Sequence, residues 1–237
     1  MKVTIHQPEH LPWLGFFNKA MNCEKFVLLN NVQYEKNYFQ NRNNIIDVKN
    51  NKRQFVTVPV NKGKQSDLIL EKKICFTNKL KRRYFLKLKQ TYESYPYYNE
   101  ISKNIFKYYE GEDNLAKLNE NIIKYLFDYL NIDCSLIRSS DIIDASEIHP
   151  GGCVNYQICK RIGAKTYLSG KSGREYLDVK PFEQTGIEVL FQDFRHPTYK
   201  QPGNEFVSNL SVLDIVFSFD PDYCVHLIKS GYTINND

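Results

Sequence analysis

The chain has 237 residues, 42% of them hydrophobic and 25% charged, which is enough to bury a full core as one α/β domain, with or without a helical insertion. No apolar run approaches a membrane span, the start runs into a strand without a hydrophobic leader, and a cytoplasmic location is the expectation. The net charge of +5 is dispersed apart from Lys79-Leu80-Lys81-Arg82-Arg83, which reads as a solvated face rather than a nucleic-acid groove, and the six cysteines lack a Cys-x-x-Cys pair, which argues against a disulfide framework or a structural metal.

Val3-Thr4-Ile5 reads as a short buried strand that stops at His6-Gln7-Pro8, because Pro8 lacks an N–H and pushes Gln7 toward an extended conformation. Leu14, Phe17, Ala20 and Met21 repeat at helical spacing, and Phe26 to Leu29 is a second apolar run short enough to be a strand. Gln54 to Val60 alternates like a strand with Pro59 at an edge or end, and Ile69 to Phe76 reads as another. A Thr77 cap opens a helix to Lys89 or Tyr92, and helical spacing returns over 101–108 and 115–130. This stretch, about 77–130, is expected as a helical insertion that packs as a lid over the sheet edge. Ser135 to Ser140 is a strand, Cys153 to Ile162 a helix closed by Gly163, Thr166 to Gly170 a strand, Gly173 to Thr185 a helix, and Glu188 to Phe194 a strand. Two further helices are signalled from Ser211 and from Asp220. Such alternation implies an α/β fold with a parallel or mostly parallel sheet, flanking helices and a nucleotide-binding-like layout, in a single domain over 1–237.

Polar side chains at the ends of buried strands are where such folds place their chemistry. His6 follows the first strand, and Gln7, His10 and Trp13 share its loop. An imidazole there suits general-base work or a hydrogen bond to phosphate, the plain alternative being a histidine satisfied by backbone. Lys36, Gln40, Asn41 and Arg42 follow the second strand beside Tyr34, Tyr38 and Phe39, a mixture that suits sugars and bases. Ser169 and Gly170 open a turn that resembles a phosphate cradle without full P-loop spacing. Asp193 and His196 supply an acid near an imidazole, with Tyr199 and Gln201 close behind. Cys153, at a helix start after Gly151-Gly152, becomes a nucleophile candidate if His149, His6 or His196 approaches it, but a buried structural thiol is the favoured reading. His6, Arg42, Ser169 and His196 are expected to line one cleft at the carboxyl edge of the sheet.

The stretches His6-Gln7-Pro8 with Leu11-Pro12-Trp13-Leu14-Gly15, Val32-Gln33-Tyr34 with Lys36 and Gln40-Asn41-Arg42, Thr57-Val58-Pro59-Val60, Tyr167-Leu168-Ser169-Gly170 with Tyr176-Leu177-Asp178, His196-Pro197 with Tyr199 and Gln201, and Leu210-Ser211-Val212-Leu213-Asp214 resemble the WbqC-like family across nearly the whole chain. The resemblance implies a transferase of bacterial surface-polysaccharide biosynthesis (O-antigen or capsule), moving an acyl or aminoacyl group such as glycyl to the amine of a nucleotide-linked amino sugar. It names no firm cofactor. The donor would be a carrier-protein thioester, which would make an acyl-carrier protein a partner, a coenzyme A thioester or an ATP-derived adenylate. In that reading His6 or His196 takes the amine proton, while Arg42, Lys36 and the Ser169-Gly170 turn hold phosphate or carboxylate. The competing reading is a non-catalytic component that binds the nucleotide sugar or the carrier.

Overall fold

Strand β1 (Lys2–His6) forms over three consecutive β-branched residues, Val3, Thr4 and Ile5, and it ends directly before Gln7-Pro8. In chain order it is followed by α1 (Leu14–Met21), β2 (Lys25–Leu28), β3 (Arg42–Asp47), β4 (Lys52–Thr57), α2 (Asn78–Tyr92), α3 (Tyr98–Phe106), α4 (Leu115–Tyr129), β5 (Ser135–Arg138), α5 (Val154–Arg161) and β6 (Thr166–Ser169). Helices α6 (Gly173–Tyr176) and α7 (Lys180–Gln184), strand β7 (Glu188–Phe194), helices α8 (Leu213–Ser218) and α9 (Pro221–Ser230) and strand β8 (Tyr232–Ile234) complete it. The computed structural model describes all residues except 65, 149–152, 204 and 235–237, so His149, Gly151 and Gly152 lie outside the described residues.

The main sheet has the order β5-β2-β1-β6-β7-β8, its first five strands parallel and β8 antiparallel at the edge. The chain leaves β1 toward β2 on one side and returns to β6 on the other. The carboxyl ends of β1 and β6 therefore flank a topological switch point, the place where an open α/β sheet leaves a crevice. The pleat sorts the core into two layers. Phe26 and Leu28 pack with α1, α4, α8 and α9, whereas Val3, Ile5 and Val27 pack with Ile158 of α5 and Phe182 of α7.

Three sequence expectations need correction. Residues 69–76 form a single 3-10 turn at Ile69–Glu71 and two isolated bridges, Val60 with Ile74 and Lys73 with Asn114, because they cross other segments at single points rather than running beside one strand. The expected strand at 54–60 lies at Lys52–Thr57 and pairs antiparallel with β3, which polar-looking Arg42-Asn43-Asn44 concealed. The helix expected over 173–185 is two short ones: Pro181 suits only a first turn, and the Asp178 carboxylate caps that turn by accepting from the Lys180 N–H at 3.1 Å. Helix α2 starts where Thr77 Oγ1 accepts from the Leu80 N–H at 3.2 Å, and α4 starts at an Asn114 cap. No helix among the described residues is long and apolar enough to cross a membrane.

Candidate active site at the carboxyl edge

A cleft of about 560 Å³ opens at the switch point. His6 enters it from the end of β1, Gly170, Lys171 and Ser172 from the turn after β6, and Gln192 and Phe194 from β7; Glu9, Trp13, Gly15 and Lys19 come from the β1–α1 loop and α1. Asn43, Asn44 and Arg53 of the β3–β4 hairpin, with Tyr38 and Phe39, close the far side.

Local sequence sets each wall. Gly15 has no side chain because the Trp13 indole lies against it: a Cβ there would sit 2.4 Å from Trp13 Cζ2 and Cη2. The indole then meets Phe194 edge to face at 5.3 Å. Gly173 is constrained likewise, since a Cβ would meet Ser169 Oγ at 2.2 Å, and so Ser169 is spent on packing the turn while Gly170 faces the cleft. Leu11 takes a left-handed φ of 47°, costly for a branched side chain, and Asn43 Nδ2 holds that turn by donating to the carbonyls of His10 at 3.2 Å and Leu11 at 2.9 Å.

Three titratable groups converge in the cleft. The His6 side chain keeps 29% of its surface open, and Nε2 lies 3.7 Å from Glu9 Oε1. Its Nδ1 is 3.1 Å from the Gln7 carbonyl, which can only accept, so Nδ1 carries the proton and Nε2 offers a lone pair. Burial, and then the charge of Lys19, lowers its pKa to about 3, so the ring is neutral. Glu9 is 5% exposed, its Oε2 has no hydrogen-bond partner, and burial raises its pKa to about 8 against the pull of Lys19 and the Trp13 N–H. Lys19 is 3% exposed, and burial lowers its ammonium to about 8 against the opposing pull of Glu9. A base and an acid poised near neutrality, one weakly basic ring between base and substrate space, and aromatic and amide walls form a constellation able to move protons.

The sequence-predicted residues fall into distinct places. His6, Trp13 and Gly170 line the cleft. Gln7 and Gln40 join the two polar loops, Gln40 Nε2 donating to Gln7 Oε1 at 2.7 Å. His10 is fully buried: Nδ1 donates to Asn119 Oδ1 at 2.9 Å and Nε2 accepts from Tyr84 Oη at 2.7 Å. Asn41 Nδ2 donates to the Val58 carbonyl, the Arg42 guanidinium lies 4.0 Å over the Phe55 ring, and Lys36 is exposed. None of these four lines the cleft.

Asp193 accepts from Lys171 Nζ at 3.2 Å. His196 stands behind the Phe194 wall, packed among Tyr199 and Phe206, with its pKa lowered by burial. Tyr199 Oη and Gln201 Nε2 both donate to Asp214 Oδ2 at 2.9 Å, which fastens the segment after β7 to α8. Cys153 caps α5 in the other core layer, where burial raises its thiol pKa, the reverse of what a nucleophile needs. Helices α2, α3 and α4 contribute no side chain to the cleft lining, and α2 and α4 instead reach its loops through Tyr84 on His10 and Asn119 on the Pro8 and Gln40 carbonyls.

Glu9, Lys19, Asn43, Asn44, Arg53 and Gln192 are cleft residues that pattern reading passes over. One signal for Lys19 is present: α1, Leu-Gly-Phe-Phe-Asn-Lys-Ala-Met, is apolar nearly all round, as buried helices are, so its lysine is carried inside.

The fold is thus an open, mostly parallel α/β sheet with a titratable cleft at its switch point, the edge at which such sheets hold ligands when they bind them. The chain belongs to the WbqC-like protein family, which it matches over residues 7–225. It is similar to the uncharacterized protein Rv1507c of Mycobacterium tuberculosis, with 30% identity over 230 residues, 94% of this chain and 96% of the relative. No solved structure matches it.

Proposed function

We propose that the cleft is the active site of a transferase that moves an acyl or aminoacyl group to the amine of a nucleotide-linked amino sugar for bacterial surface polysaccharide. The observation that carries this reading is the convergence of Glu9, His6 and Lys19, all shifted by burial, in one aromatic and amide-lined cleft. Trp13, Tyr38 and Phe194 offer faces for a sugar or base, Asn43, Asn44 and Gln192 line the same space, and Arg53 gives the rim a positive charge suited to phosphate, with Lys171 beside it ion-paired to Asp193.

In this scheme the amine nitrogen attacks the carbonyl carbon of the activated donor. Its proton passes to His6 Nε2, which is too weak a base to keep it, and on to the Glu9 carboxylate 3.7 Å away. The Lys19 ammonium stabilises the oxyanion and then gives its proton to the leaving group as the bond from carbonyl carbon to leaving group breaks. The C–N bond has formed, and Glu9 and Lys19 regain their charges by exchange with solvent. The test is mass-spectrometric detection of acylated product from a nucleotide-linked amino sugar and a panel of thioester and adenylate donors, with Lys19→Met as control. Tight sugar binding without turnover on any donor overturns the catalytic reading and leaves the binding component.

A further inference from the structure

A second concavity, about 320 Å³, lies between α2 and the β3–β4 hairpin, with Phe55, Phe76, Leu80 and Tyr84 in its apolar wall and Arg83 and Lys87 on its rim. Phe55 of β4 is 42% exposed, and Leu80 and Leu86 of α2 are 39% and 46% exposed, so the hairpin and the helix both present apolar surface here. Helix α2 carries Lys79, Lys81, Arg82, Arg83, Lys87 and Lys89 and no acidic residue. Among the described residues no carboxylate pairs with Lys79, Arg82 or Arg83, while Lys81 and Lys87 donate to the carbonyls of Tyr109 and Phe55. Lys79, Arg82, Arg83 and Leu86 share one exposed face at helical spacing, beside the groove. The patch is thus apolar at its centre and cationic around it.

Its position relative to the cleft is fixed by the pleat. Arg53 lines the cleft and Phe55 lines the groove, and as positions i and i+2 of β4 they point to the same side of the hairpin, with Cα atoms about 7 Å apart. We propose that this groove docks an acidic helix of a small carrier protein, which brings its thioester-bound acyl group to the cleft next door. The proposal rests on the transferase reading and supplies the donor which that reading leaves open. Charge complementarity selects an acidic partner. The apolar centre favours a protein helix with an apolar stripe over a phosphate backbone, and a concave groove walled by a strand does not fit a flat bilayer.

The test is titration of fluorescently labelled acyl-carrier protein into the full chain and into the Arg82→Glu/Arg83→Glu double variant and Leu80→Ser. The expected result is saturable binding that weakens as salt rises and is lost at least about tenfold in the double variant, with wild-type melting behaviour. The double variant should keep wild-type turnover with a small soluble thioester, whereas Lys19→Met should keep carrier binding and lose turnover. No saturable binding by the wild type, equal binding by the double variant, or tighter binding of duplex RNA or of phosphatidylglycerol vesicles than of the carrier would each overturn the docking proposal. Full turnover by Lys19→Met would overturn the cleft chemistry and leave the docking result standing.

Discussion

Two imidazoles four residues apart, His6 at the end of β1 and His10 in the loop that follows, lead opposite lives. His10 is sealed from solvent, both nitrogens engaged, and the Tyr84 hydroxyl that serves it takes a bond in turn from Tyr109 Oη at 2.7 Å. His6 opens onto the cleft with a free lone pair, beside a glutamate that has an orphaned oxygen and a lysine buried in a helix. Burial lowers both rings, so pKa alone does not tell them apart. What differs is whether the surroundings answer the polar atoms. A finished network specifies structure, whereas an unfinished one facing a cavity is available for a ligand.

That contrast breaks most sharply at Lys19. Lys19→Met should lower kcat of acyl transfer by about a thousandfold or more, roughly 4 kcal/mol of barrier, with melting temperature unchanged or raised because an incompletely paired buried charge is removed. Steady-state kinetics with calorimetry checks both halves, and a collapsed fold would make Lys19 structural. His6→Asn should cost about a hundredfold or more in kcat, with little change in sugar binding and near-wild-type stability.

Asn119→Ala tests the other side. Its amide donates to the Pro8 carbonyl at 3.0 Å and the Gln40 carbonyl at 2.7 Å and accepts from His10, so its loss should destabilise the chain by about 3 kcal/mol, roughly 6–12 °C in melting temperature. A melting temperature within a degree of wild type would show that the network is not what holds the loops.

The pH dependence sharpens the same division. Turnover needs Glu9 ionised and Lys19 protonated, and both titrate at about 8, so the profile should be a narrow bell centred there. Lys19→Arg should remove its alkaline limb. The two rings also carry a stability term. His6 and His10 are lowered from 6.5 to about 3 and about 4, so the unfolded chain takes up these two protons first and the rings' contribution to stability falls as pH drops below 6.5, a loss opposed by Glu9 and Asp214, which are raised to about 8 and about 6 and bind their protons first in the folded chain. The smallest effect belongs to Cys153→Ala, which should leave turnover intact; a thousandfold loss with the fold preserved would mark a covalent acyl-enzyme.

The parallel strands are legible because short apolar runs ended by polar or turn residues admit few other structures, and the residues after two of them, His6 and Gly170, lie in the cleft lining. The β3–β4 hairpin was half hidden, since Asn43 and Asn44 are polar by type yet buried by role. Arg42, Tyr199 and Gln201 carry the family resemblance and read as ligand contacts, but their partners are a ring and a buried carboxylate that no local spacing reveals. Glu9 and Lys19 were passed over for the converse reason: charged side chains are ordinarily solvated, and only the apolar character of the whole of α1 betrays an exception.

Asn119 has one more consequence. It stands on α4, far along the chain from both polar loops, yet its single amide fastens the turn after β1 to the turn after β2. Local opening of α4 therefore releases both loops, and a ligand that needs the loops closed raises the free energy of that opening. Amide hydrogens in the middle of α4 should exchange more slowly when the cleft is filled, so that a helix which never touches the ligand reports its occupancy.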